Sequence, residues 1–140
     1  MAWKWIEMQS ATGASPVYRF SFDQPVPSEP GAVINGSPAT AKDIGARHAG
    51  EIEYVFGTQD ASSAAWQPDD RKLSATMMTY WTNFARNGDP NGPGLPEWPR
   101  YDKTDGHPVL HLSAEVRAAP EAHRERYEFL DSCTMETSDE

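Results

Sequence analysis

One amphipathic stripe constrains this chain more than any other feature. Between Asp69 and Asn87, the residues Leu73, Met77, Tyr80, Trp81 and Phe84 recur at intervals of three and four. That spacing lines them along one face of an α-helix, and so apolar a face is stable only against a second layer. Pro68, Asp69 and Asp70 suit the helix start, where unpaired backbone N–H groups favour negative charge, and Asn87-Gly88 suits its close. Helical spacing alone accounts for the aromatic residues, so the stripe is read as core packing rather than as a cofactor site. The segment Gly88-Asp89-Pro90-Asn91-Gly92-Pro93-Gly94 is a rigid, turn-rich connector.

The opposing layer has to come from strands. Val17 to Phe22 alternates, with Val17, Arg19 and Ser21 on one face and Tyr18, Phe20 and Phe22 on the other, as a half-buried strand does. A second short strand is expected around Val109 to Leu112. Strands need hydrogen-bonded neighbours on both edges, and so few of them predict a sheet that is incomplete within this chain.

Two further helices are expected. Met1 to about Ala11 offers Trp5, Ile6 and Met8 for a buried stripe, with Gly13 as a stop signal, and a charged helix from about Ala119 to Asp131 carries Ala122, Arg126 and Phe129 on one side. Asp23 to Asp43, rich in Pro, Gly, Ser and Ala and without periodicity, reads as a loop crossing the top of the sheet. Ile52, Val55 and Phe56 recur at helical spacing and predict a short helix or turn after Ala49. The acidic tail from residue 133 to 140 is expected to be disordered, which leaves residues 1–132 as one folded unit.

With 140 residues, 38% hydrophobic and 11% aromatic, the chain can supply one core but not a multidomain enzyme. A net charge of -9 disfavours nucleic acid and anionic membranes as partners, since both call for basic surfaces. No apolar run approaches the roughly 18 to 20 residues needed to cross a bilayer, and Met1 to Ile6 lacks the continuous apolar core of a signal peptide. Cys133, the single cysteine, has no internal disulfide partner, so cysteine usage leaves the compartment unknown. Asn35-Gly36-Ser37 fits a glycosylation acceptor, a tripeptide with meaning only in a eukaryotic secretory setting.

The chemistry points to one histidine. His48 lies in Gly45-Ala46-Arg47-His48-Ala49-Gly50-Glu51, followed by the apolar segment Ile52 to Gly57. Small neighbours let backbone pass close to an active site, and a neutral imidazole there can accept and return a proton near physiological pH. His107, His111 and His123 invite a metal reading, but Pro108 and Val109-Leu110 favour a strand, on which residues four apart sit far from each other; no metal site and no cofactor is expected.

The segment Gly45 to Gly57 resembles the histidine loop of the type-B carboxylesterase and cholinesterase family of the α/β-hydrolase fold, with Gly45, His48 and Glu51 on its pattern. Two more blocks are similar: Met78 to Asn91 to the helix and turn downstream, and Trp98-Pro99-Arg100-Tyr101 with Val109 to Leu112 to the closing segment. Ala49 departs from the pattern, where the family more often has glycine. The likeness runs from about Ala2 to about Ser132 and implies an α/β fold in which strand, histidine loop, long helix, short strand and terminal helix form the C-terminal part of such an enzyme.

The resemblance further implies that His48 is the general base of a Ser-Glu/Asp-His triad acting on a small-molecule carboxylic ester. Glu51 has two readings, a hydrogen bond that steadies the histidine loop or a solvated acid at a helix start. Cys133 is either an incidental thiol or, as in the family, one half of a disulfide to an upstream cysteine. No Gly-x-Ser-x-Gly is present; in this fold the nucleophile stands on such a motif, with the chain order Ser, acid, His. Gly13-Ala14-Ser15 is its nearest imitation, yet it precedes a strand instead of following one. The chain is therefore expected to be a fragment, inactive alone, whose partner is the missing N-terminal portion of the same fold. The rival expectation is a noncatalytic protein-interaction module or an inactive truncated product.

Overall fold

The computed structural model describes residues 2–102 and 104–135. In chain order it comprises α1 (Ala2–Thr12), β1 (Phe20–Phe22), a hairpin of β2 (Val33–Ile34) and β3 (Ser37–Pro38), α2 (Ala41–Ile44), α3 (Ile52–Phe56) and a 3-10 turn at Gln59–Ala61. After these come α4 (Pro68–Asn87), β4 (Pro108–Leu112), β5 (Arg117–Pro120) and α5 (Arg124–Met135). β1 and β4 pair in parallel, Phe20 opposite Leu110 and Phe22 opposite Leu112, and β5 returns antiparallel to β4. On its other side β1 has no strand neighbour among the described residues.

The long helix forms as its periodicity predicts. Pro68 occupies the first turn, a reciprocal cap joins Gln67 and Asp70, and Gly88 ends the helix at φ 71°, its N–H donating to the Phe84 carbonyl at 2.8 Å. Most of the stripe packs as core, with Trp81 partly buried against it, but Phe84, toward the end of the helix, is 49% exposed. Leu73, Met77 and Tyr80 are buried with Tyr54, Trp98, Leu110 and Leu112, so α4 lies across the sheet and against α3. Trp98 is the centre of an aromatic cluster, with Tyr18, Phe20, Tyr80 and Trp81 at centroid distances of 5.3–6.1 Å. Asn91 anchors it by accepting the Trp98 backbone N–H at 2.8 Å and donating to the Trp98 carbonyl at 3.0 Å.

Burial pushes the Tyr80 phenol up to about 12, and burial together with the hydrogen bond to Asp70 pushes Tyr54 up further. Both phenols stay neutral in the fold while those of the unfolded chain ionise near pH 10. Their contribution is thus complete below pH 10 and drains away as pH rises through 10 to 12, at roughly 1.4 kcal/mol per pH unit for each phenol. Urea melts between pH 8 and 12 should show a flat plateau and then a steep alkaline decline; replacing Tyr80 with Phe should make the decline shallower.

Several expectations are corrected. In α1, Trp5 is 77% exposed and Met8 57%, and only Ile6 of the three turns partly inward. The inward side is Trp3, Glu7 and Ser10 instead, because α1 is held to the rest by polar and stacking contacts. Val17 to Arg19 lie outside the ladder, although the Val17 and Arg19 carbonyls still accept the N–H groups of Tyr101 and Leu110. The segment from Asp23 to Asp43 is not structureless: Asn35 and Gly36, at φ 51° and 80°, turn the β2–β3 hairpin, and Thr40 and Asp43 cap α2 reciprocally. The final helix begins at Arg124 because Arg117–Pro120 extends as β5, which leaves Ala122 outside it. Arg126 and Phe129 face solvent, whereas Arg124, Tyr127 and Asp131 turn inward. This helix continues through Cys133 to Met135; the remainder of the acidic tail, residues 136–140, lies outside the described residues.

Glu7 and Arg124 organise the packing of the terminal helices. Arg124 grips the Glu7 carboxylate with two nitrogens at 3.0 and 3.3 Å, and Tyr101 donates to the same carboxylate at 2.5 Å. Arg19 pairs with Glu121 and lies over the Tyr127 ring, which stacks on Trp3 at 5.7 Å. Among the described residues no helix is long and apolar enough to cross a membrane.

Candidate functional site

The chain leaves the sheet at Asp23, whose N–H makes the last rung of the ladder to the Leu112 carbonyl at 2.9 Å. Three residues on, the Val26 N–H donates to the Gly45 carbonyl at 3.1 Å, which draws the histidine loop to the carboxyl end of β1. In open α/β sheets this is the end at which ligands bind. α2 delivers the loop, since the Gly45 N–H closes that helix on the Ala41 carbonyl at 2.8 Å, and α3 carries the chain away. Between them the Gly50 N–H donates to the Arg47 carbonyl at 3.0 Å, so residues 47 to 50 form a tight turn with His48 exposed on it.

Ala49 holds φ 61°, in the left-handed region that favours glycine. The departure from the family pattern thus falls on a strained position. Replacing Ala49 with Gly relieves steric strain of about 1–2 kcal/mol against about 0.4–1 kcal/mol of added unfolded-state entropy. Thermal melts of the variant should show a net gain between zero and about 1.6 kcal/mol.

Glu51 precedes the first turn of α3, its carbonyl accepting the N–H groups of Tyr54 and Val55 at 3.1 and 3.0 Å. Its carboxylate makes no hydrogen bond or ion pair among the described residues. Gly57 ends α3 at φ 62°, in the left-handed region that favours glycine. At the start of α4, Asp70, 2% exposed, accepts Tyr54 Oη–H at 2.8 Å, Gln24 Nε2–H at 2.8 Å and the Gln67 N–H at 2.9 Å. Gln24 in turn accepts the Ala114 N–H at 2.9 Å. One carboxylate therefore ties the strand exit, α3, α4 and the β4–β5 turn together.

The other histidines lie elsewhere. His111 Nδ1 meets the Asp23 carboxylate at 2.5 Å, which also accepts the Ser21 hydroxyl at 2.6 Å; His107 packs on the Tyr101 ring, and His123 is exposed before α5. Among the described residues no group of three or more His, Cys, Asp or Glu is arranged to hold a metal. Ser15 sits in an exposed bend between α1 and β1, not on a strand-to-helix turn. Between the β1 segment and α4 an aromatic groove of about 320 Å3 is lined by Pro16, Tyr18, Phe20, Trp81 and Phe84. Sequence reasoning passed over Val26, 1% exposed, and Asp70 as a buried anchor. The visible signal for Val26 is a branched apolar residue between two prolines, Pro25 and Pro27, in an otherwise polar stretch.

A parallel strand pair backed by a long helix, with a histidine turn at the carboxyl end of the first strand, is the architecture of one part of an α/β-hydrolase. Solved esterases share it. A thermophilic pNB esterase superposes with a TM-score of 0.62 at 25% identity, covering 84% of this chain and 24% of that one. An esterase from Clostridium hathewayi gives a TM-score of 0.67 at 20% identity over 84% of this chain and 21% of that one, a likeness of fold alone. The family model described as the carboxylesterase family matches residues 3–130. The chain belongs to the carboxylesterase family. A medium-chain fatty acyl-CoA hydrolase precursor from Anas platyrhynchos is 41% identical over 115 residues, 82% of this chain and 19% of the relative. The cocaine esterase of Homo sapiens is 37% identical over 111 residues, 79% of this chain and 19% of the relative. The chain thus spans about a fifth of the length of these relatives.

Proposed function

We propose that this chain supplies the general-base histidine, His48, to a serine-dependent carboxylic-ester hydrolase whose nucleophile and triad acid lie on polypeptide outside these 140 residues. The supporting observation is the exposed imidazole on a tight turn, tied by backbone to the carboxyl end of β1, in a chain without Gly-x-Ser-x-Gly. In the assembled enzyme His48 takes the serine proton as the alcohol attacks the ester carbonyl, returns it to the departing alcohol, and then draws a proton from water to free the acid. An imidazole alone does none of this, because oxyanion donors and an orienting acid must be in place before the reaction begins. Glu51, with its carboxylate uncommitted, steadies the loop by hydrogen bonding once the remaining polypeptide is in place. That polypeptide joins at the side of β1 that has no strand neighbour among the described residues, where a further strand would extend the sheet.

Mixing tests the reading. The chain alone should neither turn over a short acyl ester nor be labelled by a serine-directed organophosphate. Combined with a carboxylesterase relative truncated by the matched region, it should restore both. Labelling and turnover by the isolated chain would contradict the proposal. The exposed apolar side chains Trp5, Phe56 and Phe129 favour one rival, a noncatalytic interaction module; assembly without turnover would select it.

A further inference from the structure

His48 makes no side-chain hydrogen bond or ion pair among the described residues, so its place is set by backbone alone. Besides the turn's own hydrogen bonds, two contacts tie that backbone to the segment leaving β1, and both are made by Val26. The Val26 N–H holds the loop entrance at the Gly45 carbonyl, 3.1 Å away. At the exit, a Cβ added to Gly50 would fall 2.7 Å from Val26 Cγ2, so the Gly50 Cα rests directly on that methyl group. Val26 itself is 1% exposed, and the proline after it, Pro27, keeps its backbone out of the helical region. Gly50 is outside the left-handed region, so its lack of a side chain answers to this contact and not to backbone conformation.

We propose that Val26 is the positioning residue of the histidine loop: a valine methyl and a glycine, locked face to face, set the height at which the turn presents the imidazole. This rests on the reading of His48 as the base. Packed interiors answer to single methyl groups, and small displacements of a catalytic group are costly, so the lock governs the histidine without touching substrate.

The test uses the 140-residue chain and nuclear magnetic resonance, with the amides of α4 as internal control. In the unaltered protein the amides of residues 46–49 should be as ordered as those of α4, with order parameters near ~0.85, and the His48 ring should give one resonance set. Val26→Ala should lower those order parameters below ~0.6 and broaden or double the ring signals while α4 stays unchanged. Gly50→Ala should shift the same signals from the other side of the contact, and it carries the test if Val26→Ala does not fold. The double variant should regain a single ring signal, because the new methyl occupies the space the valine leaves; the Arg47 carbonyl, 3.0 Å from the added Cβ, has to give by only a few tenths of an ångström. Unchanged loop signals in both single variants, or a double variant that merely sums them, would overturn the lock. Failure of His48 as a base would appear in the mixing experiment and leave these spectra as they are.

Discussion

Replacing His48 with Gln in the mixed, assembled enzyme is expected to lower kcat by about 10⁴-fold or more, the scale on which loss of a triad member acts. The substitution keeps a polar side chain of similar reach but cannot take up a proton near neutral pH, so the serine stays a neutral alcohol. His48 is exposed and makes no side-chain hydrogen bond or ion pair among the described residues, so the variant should melt with the parent chain and still assemble. Loss of turnover with retained assembly and melting is the expected pattern. Retained turnover would remove the imidazole from the mechanism.

Asp70→Ala should have the largest effect on the fold. The carboxylate receives three hydrogen bonds, from Tyr54, Gln24 and the Gln67 N–H, the last of which caps α4. Hydrogen bonds to a charged group contribute about 1.5–3 kcal/mol each, and breaking such a buried network costs about 3–5 kcal/mol in all, since Tyr54 Oη–H and Gln24 Nε2–H lose their acceptor together. For a chain of this size that is a large share of total stability. Urea denaturation should show the loss as a lower midpoint, with Asp70→Asn falling between variant and parent. A midpoint within the error of the parent would mean that the links around Asp70 are carried by other contacts.

How much could be read beforehand follows from where the signals lie. The α4 helix was legible because its core side chains repeat every three to four residues and its ends carry Pro68 and Gly88. The histidine turn was legible as a pattern of small residues around His48, and the aromatic and apolar blocks after it made the resemblance specific. The β2–β3 hairpin was not, since two-residue strands with exposed side chains show no alternation, and only Asn35-Gly36 marks the turn. Asp70 could be placed at a helix start, but its burial depends on Tyr54 sixteen residues earlier and Gln24 forty-six residues earlier, pairings that local pattern does not encode. Trp5 misled because hydrophobicity alone suggested burial, whereas α1 docks through Trp3, Lys4 and Glu7.

Lys4 meets Asp131 at 3.0 Å across 127 positions of sequence, beside the grip of Arg124 on Glu7. The molecule is in effect a ring fastened by ionic clasps, its first and last helices joined at one corner. Fraying of either helix would therefore loosen the other, although almost the whole chain lies between them.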